Sequence, residues 1–147
     1  MIHVPVTPKT IVSLLVAIGA VTMSEPARAD MVRAVVDREI AEACGGTPGE
    51  LQSEGRIERD LDGDGLEDLI VSHEWMRCTG GMGMAGRSEF CGMQVCSVNI
   101  YVRRGSGFDL AREMLGADVR VGSGARPEIT MRAHGGDVFG IRLDPAP

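Results

Sequence analysis

The chain has 147 residues, a mass of 15.6 kDa and a formal net charge of −6. That length makes one small domain and leaves no room for a large multi-substrate enzyme. The acidic balance excludes nucleic acid and anionic lipid as partners, because both need a basic footprint. Aromatic residues are only 3% of the chain, so Val, Ile, Leu, Met and Ala must build the core.

The first segment reads as an address. Residues 1–10 carry Lys9, Ile11 to Met23 form an uncharged run of 13, and a polar stretch ends in Ala27-Arg28-Ala29. A basic start, a short apolar run and an A-x-A step predict a signal peptide over residues 1–29. The run falls about a third short of the ~20 apolar residues that a membrane span needs, and no cysteine at the cleavage point offers a lipid anchor. The expected product is a monomeric single domain over residues 30–147, without a membrane span, periplasmic or secreted. Losing Lys9, Glu25 and Arg28 moves the net charge from −6 to −7 and leaves no lysine.

Export sets the redox context for Cys44, Cys78, Cys91 and Cys96. An even number of cysteines in a small exported domain predicts disulfides. Three pairings are open. Closing the base of a Gly-rich loop favours Cys78 with Cys96, which leaves Cys44 with Cys91. No C-x-x-C spacing occurs, and past the signal only His73 and His134 are available, so zinc is a poor fit.

Asp30 is a suitable N-cap, and the stretch to Cys44 reads as a helix. Val32, Val36 and Ile40 recur at i+4 with Val35 beside them, and Gly45-Gly46 stops the run. Thr47 to Gly55, with Pro48 and two glycines, reads as a loop. Short strands follow at Ile57 to Leu61 and Leu66 to Glu74. Cys78 to Gly92 is Gly/Met-rich and irregular. Ser97 to Arg103 alternates, with Val98, Ile100 and Val102 expected inward and Asn99, Tyr101 and Arg103 outward. Strands are further predicted at Phe108 to Leu115 and Val119 to Val121. The last two, Ile129 to Ala133 and Val138 to Leu143, flank a hairpin turn at His134-Gly135-Gly136-Asp137. The expected fold class is α+β: an N-terminal helix packed on a small antiparallel β-meander, stabilised by disulfides.

The strongest chemical signal is Asp60-Leu61-Asp62-Gly63-Asp64-Gly65-Leu66-Glu67-Asp68. Carboxylates at positions 1, 3 and 5 of a tight turn converge on one centre, Gly65 at position 6 permits the bend, and the position-7 carbonyl of Leu66 faces the ion. Five acids in nine residues repel one another, and a hard divalent cation removes that cost. The predicted ligands are Asp60, Asp62, Asp64, the Leu66 carbonyl and Asp68, and the predicted ion is a structural Ca²⁺. Position 12, an acid in an EF-hand, is Val71 here, and strand patterns rather than helix patterns flank the loop. In this the loop resembles the EF-hand-like calcium turns of FG-GAP repeats, as in integrin propellers, which implies ligands at 1, 3, 5, 7 and 9. Over most of its length the chain also resembles a group of small uncharacterised exported bacterial proteins. The shared features are Cys44-Gly45-Gly46 after a helix, the acidic loop running into an apolar strand, the Phe90-Cys91-Gly92 step with Cys96 opening a strand, and the His134-Gly135 turn. That resemblance implies architecture and compartment, and no activity.

Three functional readings compete. A periplasmic hydrolase needs a nucleophile and base. Ser72, His73 and Glu74 are adjacent, but strand neighbours point to opposite faces, so no catalytic set is assigned. A copper protein would use Met76, Met82, Met84 and Met93, although oxidised cysteines would not ligate and Met commonly fills gaps in an aromatic-poor core. An interaction module, an inhibitor of a hydrolase or a subunit meeting an envelope or extracellular protein, would use the Gly-rich loop Thr79 to Ser88 on a rigid β scaffold. The last is the expected role.

Overall fold

The computed structural model describes residues 25–80 and 86–145. The predicted signal peptide up to residue 24 and the methionines Met82 and Met84 lie outside the described residues. The described residues form one α-helix and eight strands, and every strand pair among them is antiparallel. This is an α+β arrangement.

The helix α1 (Glu25–Ala43) buries Val32, Val35, Glu39 and Ala43, spaced to lie on one stripe. It begins before Asp30, so the predicted cleavage step falls within it. Gly45 and Gly46 end it, with the Gly46 N–H returning to the Ala41 carbonyl at 2.9 Å.

The segment read as a loop contains a strand. β1 (Gly49–Leu51) pairs with β4 (Met76–Cys78), placing Gly49 opposite Cys78. A side chain at Gly49 would meet Cys44 Sγ at 2.6 Å and the Arg77 carbonyl at 2.9 Å. Only glycine lets the ribbon come this close to the helix end. The same close approach brings Cys44 to Cys78, and these two form a disulfide; Cys91 and Cys96, facing each other across an antiparallel bridge, form the second. The expected pairs Cys78–Cys96 and Cys44–Cys91 are therefore wrong. The missed β1–β4 ribbon is the reason, because it carries Cys78 to the helix rather than to the far end of the Gly-rich loop.

The main sheet is a six-stranded meander in chain order: β2 (Arg56–Arg59), β3 (Asp68–Ser72), β5 (Cys96–Arg104), β6 (Gly107–Val121), β7 (Ile129–Arg132) and β8 (Val138–Ile141). Its central strands β3 and β5 are covered on both faces. Leu69, Val71 and Tyr101 pack with Val32, Val35 and Met76 on the helix side. Ile70, Val98 and Ile100 pack with Ile129, Met131 and Leu143 on the other. The expectation that Tyr101 and Arg103 face outward is thus overturned, at 3% and 8% exposure. The alternation is real, but a strand between two layers buries both of its faces.

The two strands expected at Phe108 to Leu115 and Val119 to Val121 are one, β6. It is irregular twice. Its pairing with β5 shifts register between Ile100 and Tyr101, with Ala111 as the extra residue. Its pairing with β7 shifts between Ala117 and Arg120, where Asp118 has φ 53°. The second irregularity lets β7 and β8 fold back over the Ile70–Ile100 face.

The two disulfides differ in reach, with sequence separations of 34 and 5. In the chain-entropy view the longer closure stabilises by roughly 4 kcal/mol and the shorter by about 2. Replacing Cys44 and Cys78 by Ala should therefore lower the urea midpoint more than replacing Cys91 and Cys96. Peptide mapping without reduction should recover a Cys44–Cys78 link; a Cys78–Cys96 link would refute this topology.

Candidate functional site

The acidic loop lies between β2 and β3 and is shaped by its own carboxylates. Asp60 accepts the N–H groups of Gly63 (2.7 Å) and Gly65 (2.9 Å), Asp62 accepts that of Asp64 (3.2 Å), and Asp64 accepts that of Leu66 (2.7 Å). These are side-chain turns, each tightening the bend over two to five residues. Gly63 and Gly65 take φ of 84° and 83°, which the bend requires and other residues resist.

Asp68 lies at the first position of β3 and is fully buried. One oxygen accepts the Leu61 N–H and the other the Arg103 N–H, both at 2.8 Å, so this side chain ties the loop to the end of β5. Burial pushes its carboxyl above the usual carboxylate range, the two backbone donors pull it back, and the charges of Asp62 and Asp64 push it up again. A raised folded-state value means that ionising Asp68 costs stability as pH rises. A cation beside it would reverse that sign.

Of the predicted ligands, Asp60, Asp62 and Asp68 each bring a carboxylate oxygen within 4.8 Å of the other two, a triplet able to hold a metal ion. Asp64 stands outside it. Its second oxygen, with that of Asp62, meets Arg104 from the end of β5, at 3.4 Å and 2.8 Å. The Leu66 N–H is turned to Asp64. Sequence reasoning missed Arg104. It lies 40 residues after Asp64, and only the register of β3 with β5 brings the two together.

A second polar cluster lies inside the molecule. Glu39 of α1 is 2% exposed and accepts hydrogen bonds from His73 Nε2 (2.8 Å), Asn99 Nδ2 (2.9 Å) and the Tyr101 hydroxyl. The other ring nitrogen of His73 meets Ser88 Oγ at 2.8 Å, and Ser88 Oγ accepts the Phe90 N–H at 3.1 Å. Facing a carboxylate, His73 must carry a proton on Nε2. Burial pushes Glu39 up, but the donors from His73, Tyr101 and Asn99 and the charge of His73 outweigh it and hold Glu39 below the usual range. Burial, with the bond to Glu39, pushes the Tyr101 phenol up to about 12.

Ser88, His73 and Glu39 are thus linked in the order nucleophile, base, acid. Ser88 is 3% exposed and His73 fully buried, and the adjacent cleft is lined by Glu39 but by neither of them. The chain therefore clamps α1, the turn after β3 and the 86–92 segment together. Ser72 and Glu74, the sequence neighbours of His73, take no part in it. Met76 is fully buried in the core, Met93 is 86% exposed, and all four cysteines are paired; these residues make no copper cluster.

No helix among the described residues is long and apolar enough to cross a membrane. The chain matches no family model, no curated protein and no solved structure.

Glu39→Gln should cost about 2–3 kcal/mol, because a charged acceptor of three buried bonds is lost. The stability that this charge contributes is complete above the unfolded-chain value of 4.5 and is lost as pH falls through the lower folded-state value. Denaturation curves should show wild type and variant converging between about pH 6 and about pH 3. A gap that stays constant with pH would show that the charge is not what stabilises.

Proposed function

We propose that this is an exported calcium-binding interaction module, in which the Asp60–Asp68 loop takes one structural Ca²⁺ and holds two strand ends together. The observation that carries this reading is the convergence of Asp60, Asp62 and Asp68 oxygens within 4.8 Å on a loop already bent by its own carboxylates. Oxygen donors alone, all of them hard, select calcium over softer metals. The ligand set is Asp60, Asp62 and Asp68, with Asp64 and the Leu66 carbonyl joining as Asp64 leaves Arg104. Without an acid at position 12, the affinity belongs with extracellular modules, at ~10⁻⁴–10⁻³ M. The two disulfides support an oxidising compartment. A binding role is preferred to hydrolysis because the one nucleophile–base pair described is sealed from solvent.

Calcium should raise the melting temperature and chelator should return it. Asp60→Asn and Asp62→Asn should each abolish the rise, and terbium should bind in competition with calcium. An unchanged melting curve together with no terbium luminescence would sink the proposal.

Arg104 neutralises part of the loop while the ion is away, and so it competes with the ion. Arg104→Gln should lower the melting temperature without calcium and tighten calcium binding by about fivefold. Titration calorimetry of both proteins checks this; weaker binding by the variant would make Arg104 a support of the site instead.

A further inference from the structure

A cleft of about 420 Å³ opens between the exposed side of α1 and the helix-facing side of β5 and β6. Its position follows from register. Ser97, Asn99 and Tyr101 alternate along β5 on the face that meets the helix. Across from them stand Leu115, Glu113 and Leu110, and Phe108 stands opposite Arg103. Glu113 and Leu110 are an odd number of residues apart and would ordinarily face opposite ways. The extra residue Ala111 between them turns both toward the cleft.

The walls are apolar and partly open. Phe90 is 44% exposed, Leu110 is 50% exposed and Phe108 is half-buried. The floor and rim are acidic. Glu39 sits ionised beneath, held by its three donors, while Glu42 and Glu113 line the opening, and neither makes an ion pair among the described residues. Asp109 adds a fourth acidic residue to the lining, against a single cation, Arg38. Asn99 also lines the cleft. Its amide nitrogen is spent on Glu39, while its Oδ1 is buried and has no partner among the described residues.

The chain itself shows which chemistry fits. Arg38 lays its guanidinium 5.6 Å from the centroid of the Tyr101 ring, inside this cleft. Flat cations over aromatic faces with carboxylates at the edge are a favourable combination.

We propose that this cleft binds a small organic cation with an apolar body, a guanidinium or ammonium compound whose charge meets Glu42 and Glu113 and whose stem lies against Phe90, Phe108 and Leu110. The site is separate from the acidic loop and does not depend on calcium.

The test is titration of the protein, in calcium-containing buffer, with n-butylguanidinium and with the neutral isostere n-butylurea. Heat or ligand-induced NMR shifts provide the readout. The cation should bind saturably and shift the ring signals of Tyr101, Phe90 and Phe108, and the urea should not bind. Glu42→Gln combined with Glu113→Gln should weaken the cation about tenfold, and Phe90→Ala about fivefold. Both glutamates are exposed, so the double variant should fold; the wild-type ring shifts need no variant at all. Absence of saturable binding, equal binding of the urea, or an unaltered affinity in the double variant would overturn the proposal. So would displacement of the cation by Asp60→Asn, which would place it in the acidic loop. A capped Gly-Arg-Gly peptide binding tenfold more tightly than n-butylguanidinium would overturn the free-molecule ligand in favour of a partner polypeptide. Failure of calcium to bind leaves each of these outcomes readable.

Discussion

The interior of this protein is organised around a buried negative charge. Glu39 sits on the apolar stripe of α1, where a carboxylate is costly unless every lone pair is met. His73, Asn99 and Tyr101 meet it from the turn after β3 and from the middle of β5, and Ser88 fixes the ring of His73 from behind. Apolar contacts alone would allow the helix to slide over Leu69, Val71 and Tyr101. Directional bonds to one carboxylate allow a single seating. In a domain with so few aromatic residues, this cluster gives the helix–sheet contact its specificity.

The other end of β3 repeats the device. Asp68 opens the strand, fully buried, and meets backbone donors from Leu61 and from Arg103 of β5. The strand is thus fastened at both ends by carboxylates, one satisfied entirely by side chains and the other by main chain. The difference has a chemical consequence. Glu39 is saturated by donors and lies below its ordinary titration range. Asp68 lies above its own, pushed up by burial and by the charges of Asp62 and Asp64, which themselves meet Arg104. One end is a finished joint, and the other carries a carboxylate triplet able to hold a metal ion.

Much of this was legible in the chain. The strand order, the acidic loop and its glycines, the stop at Gly45-Gly46 and the hairpin around His134 all follow from local rules, because each depends on residues close in sequence. The failures share one cause. β1 is three residues long and carries no periodicity, so its pairing with β4 could not be seen, and the disulfide that depends on it was misassigned. Tyr101 and Asn99 read as solvent-facing because alternation reports which side a residue takes, and not what lies over that side. Arg104 and the Glu39 cluster join residues that are distant in sequence. Their only local trace is Glu39, which the helical pattern groups with Arg33, Asp37, Arg38 and Glu42 on the polar face although it is buried.

The extra residue at Ala111 changes what mutation can reach. β5 has one side committed to the Ile70–Ile100 core, and a regular partner strand would inherit that commitment position by position. The irregularity breaks the phase, so residues before it obey one parity and residues after it another. Phe108 and Leu110 are therefore released from the pattern that keeps Arg112 and Met114 in step with Ile100 and Val98. A lineage could rewrite the early half of β6, insert there or trim it, without disturbing the packing of β7 and β8. In that sense the strand separates an adjustable half from a fixed one, and the cleft lies against the adjustable half.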